Sequence, residues 1–168
     1  MNAPTQFLDA LKNFRGEGFD NFALFTHALL ETNFSTDNAV KRNNFFNQYS
    51  YPGDGWKGDT YGTGDEDASG KGIKVLSKVF LTPLDGLYDL KDGLQKKFPL
   101  MYPDRANYIK YFNGIMTLGD FYNDNGKQKK KILYPSFCDS WTYSPDNISL
   151  YERKKREQPD LYEIITNA

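Results

Sequence analysis

The sequence predicts an α+β protein that is mostly helical and carries a small β-hairpin lobe between its helices. Apolar residues recur at helical spacing in the first 30 residues and again after Pro83. Between these regions, residues 48–72 are rich in Gly, Asp and Tyr, a composition that argues against helix. Residues 73–81 then alternate in the manner of a strand, so this part of the chain predicts a hairpin with its turn near residues 68–72.

The N-terminal helices are predicted from the spacing of apolar side chains. Residues 5–14 place four of them on one helical face: Phe7, Leu8, Leu11 and Phe14. Residues 22–30 are apolar on nearly every side, which is typical of a buried helix, and Glu31 lies at its C-terminal edge. A short third helix follows, for which Ser35 or Thr36 is a suitable N-cap.

Later elements are predicted from capping signals. Thr82-Pro83-Leu84-Asp85 places a cap, a proline and an acid at a helix start, and that helix extends to about residue 97. Pro103 begins another helix, which ends at Gly119, and residues 127–133 predict a short one. We expect residues 1–133 to form the main domain, with residues 134–168 as an extension packed on or trailing it.

Composition narrows the class of protein. A chain of 168 residues suits one domain, and a net charge of -1 argues against a nucleic-acid partner. One cysteine, Cys138, and one histidine, His27, are too few for a Cys/His metal cluster, so neither metal nor cofactor is expected. No apolar run reaches the ~20 residues of a membrane span, and the N-terminal residues lack a signal-peptide pattern. We therefore expect a monomer made in the cytoplasm without membrane insertion.

The main functional signal in the sequence is one motif within residues 30–46. It consists of Leu30-Glu31-Thr32, then Ser35, then Asn43-Asn44-Phe45-Phe46. It resembles glycoside hydrolase family 73, the peptidoglycan N-acetylglucosaminidases, and Trp56-Lys57-Gly58 is similar to the Trp-x-Gly segment before that family's β-hairpin. The resemblance spans residues 5–133. It implies a lysozyme-like fold and hydrolysis of the β-1,4 bond after N-acetylglucosamine in peptidoglycan.

The chain departs from the family pattern in three places. Asn47-Gln48-Tyr49 stands where the family has Gly-Ile-Lys, and Asn33-Phe34 replaces the glycine that usually follows the catalytic glutamate. The family's late Gly-Tyr-Ala-Thr-Asp segment corresponds to residues 119–124. Its tyrosine aligns with Phe121 in direct register and with Tyr122 after a shift of one residue, and Tyr122 is the candidate.

Glycoside hydrolysis needs a protonated carboxyl group for the leaving oxygen and usually a second carboxylate. Glu31 suits the first role, because desolvation and the negative end of its helix should both raise its pKa. The alternative is a solvated glutamate that ends a core helix. For the second role the family pattern indicates Glu66 of the hairpin, with Asp65 and Asp67 as rivals, and a solvated acidic loop is the alternative.

Other candidates surround this pair. His27 lies one turn before Glu31 and can tune the acid, or it can be an ordinary core histidine. Candidates for substrate contact are Asn43, Asn44, Phe46, Trp56 and Tyr122. The asparagines can instead hold loop backbone. Sugar rings can stack on Tyr49, Tyr61, Tyr108 or Tyr111, although ordinary packing is the simpler explanation for any one of these aromatics.

The resemblance implies peptidoglycan strands as the partner. We expect a phage lysin or an injected antibacterial effector, which reaches the wall by non-classical release through a holin, a virion or an injection system. An immunity or inhibitor protein, or a secretion or virion component, is a further expected partner. The alternatives are a muramidase or lytic transglycosylase on the same scaffold, and a non-catalytic wall-binding or virion structural protein.

Overall fold

The computed structural model describes residues 3–16, 19–66, 69–97, 123–124, 127–128 and 150–166. These residues form an α+β fold, which confirms the predicted class. The helices are α1 (Thr5–Asn13), α2 (Asn21–Thr32), α3 (Asp37–Arg42), α4 (Pro83–Lys97), α5 (Leu150–Glu157) and α6 (Pro159–Thr166). The strands are β1 (Tyr49–Ser50), β2 (Thr60–Glu66), β3 (Gly72–Lys78), β4 (Asn123–Asp124) and β5 (Lys127–Gln128).

Helices α1 and α2 form the centre of the hydrophobic core. Of the apolar face predicted for α1, Phe7, Leu11 and Phe14 are buried, and Leu8 is partly buried. Asp20 caps α2, because its side chain accepts a hydrogen bond from the Ala23 backbone N–H at 2.8 Å. Residues 22–28 of α2 are all buried. Helix α2 is thus the buried helix that its all-round apolar pattern predicts.

Helices α5 and α6 pack against α1 and α2, in a region where the sequence predicts no helix. Tyr151 of α5 meets Phe22 edge to face, with 5.4 Å between ring centroids, and its hydroxyl donates to Asp20 Oδ1 at 3.3 Å. Ile165 of α6 is fully buried. The two buried residues of α5, Leu150 and Tyr151, stand together at its start, and the rest of the helix is charged. The helix therefore lacks the spaced apolar residues from which an amphipathic helix is predicted.

The sheet is antiparallel with the order β1-β3-β2, and β2 and β3 form the predicted hairpin. Tyr61 pairs with Ser77, and Thr63 pairs with Val75. Val75 and Ser77 are buried while Leu76 between them is exposed, so one face of the hairpin is turned inward. Strand β1 joins the free edge of β3 and is too short for a sequence pattern to predict.

Helix α4 begins where the sequence predicts. The Asp85 backbone N–H donates to Thr82 Oγ1 at 3.2 Å, and the Thr82 hydroxyl donates to Asp85 Oδ2 at 3.0 Å. The helix packs on α1, where the rings of Tyr88 and Phe14 lie 5.1 Å apart between centroids, and Leu87 is buried. Leu87 thus belongs to the same core cluster as the buried residues of α1.

One predicted element is wrong and another is untested. Lys127–Gln128 do not begin a helix but pair as β5 with β4. Asn125-Gly126 separates the two strands in the sequence, and this dipeptide favours a tight hairpin. The helix predicted over residues 103–119 lies outside the described residues. In the described part of the chain, no helix combines the length and apolar character needed to cross a bilayer.

Candidate active site

Glu31 is the penultimate residue of α2, at the point where this buried helix reaches the surface. Asn33 leaves the helix with a left-handed backbone, at φ 47°. The Glu31 side chain keeps 28% of its surface exposed, whereas the neighbouring Thr32 is buried. The carboxyl group is therefore half-buried, beside the negative end of the helix, and still open to a substrate.

His27 lies one turn before Glu31 on the same side of α2. Its Nε2 atom is 3.5 Å from Glu31 Oε1, and the residue is only 8% exposed. The imidazole rests edge-on against Phe46, with 5.1 Å between ring centroids. Phe46 is itself buried, so it forms a wall for the histidine rather than an open platform for a sugar. His27 can thus interact with the acid away from bulk water.

Asn47 holds Glu31 from the other side. Its Nδ2 atom donates to the Glu31 backbone carbonyl at 3.0 Å and approaches Oε2 of the carboxyl group at 3.4 Å. The backbone of Asn47 has φ 50°, in the left-handed region that asparagine tolerates better than most residues. The first departure from the family pattern therefore places an amide against the candidate acid.

The hairpin brings a tyrosine and a second carboxylate towards Glu31. Tyr49 of β1 donates a side-chain hydrogen bond to Asp65 of β2. Burial, this hydrogen bond and the negative charges of Asp65, Tyr51 and Glu31 raise the pKa of Tyr49 to about 12. Tyr49 therefore interacts directly with Asp65, whereas the charge of Glu31 is the smallest of these influences on it.

Glu66, the residue predicted for the second carboxylate, points the other way. Side chains alternate along a strand, so Asp65 shares the inward face of β2 with Tyr61 and Thr63, while Glu66 lies on the outward face. Both carboxylates are exposed, and Asp65 is favoured because it is the hydrogen-bond partner of Tyr49. A difference of one residue in register reverses the face, and the family pattern alone does not resolve that difference. Asp67 lies outside the described residues.

Asn43 and Asn44 bind loop backbone, the use considered above as the alternative to substrate contact. Asn44 is fully buried; its Nδ2 donates to the carbonyls of Gln48 and Lys78, both at 2.9 Å. Asn43 Nδ2 donates to the carbonyls of Phe80 and Leu81, both at 3.1 Å. These amides fasten the segment after α3 to the end of β3 and so help to position the hairpin. Substrate contact by either asparagine stays a prediction.

Trp56 packs within the hairpin lobe. Its ring meets Phe80 edge to face at 5.4 Å, and its Nε1 donates to the Asp59 carbonyl at 3.1 Å. Tyr61 is 53% exposed, with the Arg42 guanidinium 3.7 Å from its ring centroid. Of these two aromatics, Tyr61 offers the more open ring on the inward face.

Three tyrosines named from the sequence, Tyr108, Tyr111 and Tyr122, lie outside the described residues. Within the described ranges, no group of three or more His, Cys, Asp and Glu side chains could hold a metal ion. Sequence reasoning gives no role to Asn38 or to the Asn47 side chain. An asparagine where the resembling family has glycine is a usable signal, because both residues adopt positive φ.

Comparisons with known proteins give one structural similarity. No family model and no curated protein matches the sequence. Among solved structures, the chain is similar to the crystal structure of the catalytic domain of the autolysin Auto from Listeria monocytogenes, with 14% sequence identity and a TM-score of 0.47. The alignment covers 98% of this chain and 90% of that chain.

Proposed function

We propose that this chain is a peptidoglycan hydrolase that cleaves the β-1,4 glycosidic bond after N-acetylglucosamine. The observation that carries the proposal is the half-buried carboxyl group of Glu31, which together with Asp65 is among the negative charges that act on Tyr49. Two carboxyl groups in unlike environments are what glycoside hydrolysis requires. The motif similarity over residues 30–46 supports the substrate class.

In the proposed reaction, Glu31 is the general acid. It transfers its proton to the glycosidic oxygen as the bond from that oxygen to the sugar C1 breaks. Asp65, on the inward face of the hairpin, faces the positive charge that develops at C1. Water then adds to C1, and the proton that it releases returns to the Glu31 carboxylate, which restores the acid. His27, with Nε2 3.5 Å from Glu31 Oε1, is placed to orient the acid.

Replacement of Glu31 tests the enzymatic proposal. Purified Glu31→Gln should release reducing sugar from peptidoglycan about 10² to 10⁴ times more slowly than wild type, because a general acid contributes a rate factor of this order. Undiminished clearing of peptidoglycan by Glu31→Gln would exclude Glu31 as the acid. Wall binding without cleavage by the wild-type chain would indicate a binding protein instead.

Mass spectrometry of the digested muropeptides tests the bond specificity. A new reducing end on N-acetylglucosamine supports the proposed glucosaminidase activity. A new reducing end on N-acetylmuramic acid would indicate a muramidase, and an anhydro product would indicate a lytic transglycosylase. The three products differ in mass or fragmentation, so a single digest separates them.

The second carboxylate is tested by a matched pair of variants at adjacent positions. Asp65→Asn removes the charge on the inward face of β2, and Glu66→Gln removes it on the outward face. We expect Asp65→Asn to lose about 10²-fold in kcat and Glu66→Gln to stay within about twofold of wild type. The opposite order of effects would return the role to Glu66.

The biological setting is part of the proposal: a phage lysin or an injected antibacterial effector. A bacterial host should lyse when the chain is expressed with a fused signal peptide that exports it to the wall. The same host should survive cytoplasmic expression of the active chain. Equal killing in both compartments, or killing by exported Glu31→Gln, would contradict an action on the wall.

A further inference from the structure

A row of side-chain amides and hydroxyls connects Glu31 to the hairpin. Asn47 Nδ2 donates to the Glu31 backbone carbonyl and reaches its Oε2 atom. Asn47 Oδ1 accepts from Asn38 Nδ2 at 3.1 Å. The same Asn38 nitrogen lies 3.3 Å from Ser77 Oγ, which is 3.2 Å from Thr63 Oγ1. The row therefore runs from α2 across α3 to both long strands.

Arg42 determines how the side-chain amides of Asn38 and Asn47 are oriented. Its Nη1 atom donates to Asn38 Oδ1 at 2.9 Å, and a guanidinium can only donate hydrogen bonds. The Asn38 oxygen must therefore face Arg42, which turns its NH₂ group towards Asn47. The Asn47 oxygen must then face Asn38, and its own NH₂ group faces Glu31. Arg42 is held in turn, because it is buried and stacks on Tyr61.

We propose that Asn47 is a positioning residue that holds the Glu31 carboxyl in one orientation, with a polarity fixed by Arg42 through Asn38. The kinetic consequence rests on the proposed function, whereas the contact itself does not. In this orientation Oε2 accepts from the amide, and Oε1, on the His27 side, carries the proton for the leaving group. A carboxyl group held in this manner loses less rotational freedom on reaching the transition state.

The amide also acts on the ionisation of Glu31. An N–H donor stabilises the carboxylate, so removing it should raise the pKa of Glu31. Among the described residues, the ionisable groups that interact with this carboxyl include His27 of α2 and Tyr49 of β1, and Asp65 of β2 accepts a hydrogen bond from Tyr49. None of these changes when Asn47 is replaced, so the direction of the shift reports on the amide.

The chain offers a matched pair of variants for the test. Asn47 and Asn33 both have left-handed backbones, at φ 50° and φ 47°, and glycine adopts this conformation readily. Asn47→Gly removes the amide beside Glu31, and Asn33→Gly makes the same exchange at the end of α2. We expect Asn47→Gly to lower kcat about tenfold with KM within about twofold, and Asn33→Gly to resemble wild type. The alkaline limb of the kcat profile should move to higher pH only in Asn47→Gly.

A second readout separates this inference from the proposed function. Carbon-13 NMR of the glutamate carboxyls, with Glu31 assigned by its absence in Glu31→Gln, gives its titration midpoint directly. The midpoint should rise in Asn47→Gly, should rise further in the isosteric Asn47→Asp, and should stay in place in Asn33→Gly. An unchanged midpoint in both Asn47 variants overturns the inference. A shifted midpoint in a chain that cleaves no peptidoglycan would instead overturn the proposed function alone.

Discussion

The two sides of the candidate cleft are held by different forces. Glu31 extends from a helical core in which Phe7 stacks on Phe45 with 4.4 Å between ring centroids. Among the described residues, that core cluster includes none from β2 or β3. The hairpin is fastened by polar contacts instead, such as the Lys78 Nζ to Asp89 Oδ2 ion pair at 2.9 Å and the buried amide of Asn44.

The two sides of the cleft are expected to differ in role: the helical core stabilises the chain, and the polar contacts set the position of the hairpin. Apolar packing is non-directional and scales with buried area, so the helical side tolerates small shifts while it supplies most of the free energy of folding. Hydrogen bonds are directional, and a few of them set where the hairpin lies. We therefore expect core substitutions to destabilise the whole chain, and substitutions of the polar fasteners to move Asp65 with a smaller loss of stability.

The largest effect should come from the helical side. Phe7→Ala removes a fully buried ring, and we expect a loss of about 3–5 kcal/mol in the free energy of unfolding. Urea denaturation measures it. Val40→Ala is the control, since Val40 is 56% exposed and should change stability by less than about 0.5 kcal/mol. A Phe7→Ala variant as stable as Val40→Ala would show that this cluster is not the centre of stability.

A smaller and more local effect should follow from Asn44→Ala. This substitution removes the amide donor from the partly buried carbonyls of Gln48 and Lys78, at a cost of about 1–3 kcal/mol. Hydrogen exchange should show β3 losing more amide protection than α2. Asn43→Gly is the control, because one of the two carbonyls that Asn43 binds, that of Leu81, is exposed and can be hydrated. Equal loss of protection across the chain would contradict a polar attachment of the hairpin.

The elements that could be predicted from the sequence are those with clear local signals. Helices α1, α2 and α4 were predictable to within about two residues at each end, since apolar spacing and caps are local signals. The hairpin was predictable as an element from its alternation. Strand β1 and helices α5 and α6 were not, because β1 is short and because α5 is charged over most of its length.

The candidate site follows the same rule. His27 and Glu31 could be paired from their spacing, because residues four apart on a helix are neighbours. The choice between Asp65 and Glu66 depends on register in a glycine-rich segment, where one residue decides the face and local sequence gives little guidance. The row from Glu31 through Asn47 to Asn38 could not be predicted either, since it joins segments that only the tertiary fold brings together.

The smallest effect on the free energy of unfolding should appear at alkaline pH. Each side of the cleft contains a tyrosine whose pKa is raised, Tyr49 in the hairpin lobe and Tyr151 in the helical core. Burial is the main cause at Tyr49 and at Tyr151, and the pKa of Tyr49 rises from 10.0 to about 12. The folded chain thus keeps the phenolic proton where the unfolded chain releases it. The resulting stabilisation is complete below pH 10 and is lost as the pH rises towards 12.

Replacing each tyrosine by phenylalanine shows how much of the loss of stability at alkaline pH comes from each side of the cleft. Urea denaturation between pH 9 and pH 12 should show a flatter pH dependence in Tyr151→Phe and a slightly flatter one in Tyr49→Phe. The Tyr49 effect is the smaller because Tyr49 is only partly buried and solvent screens its charge interactions, whereas Tyr151 is buried beside Asp20. A larger flattening in Tyr49→Phe would mean that the hairpin, rather than the helical core, contains the more enclosed phenol.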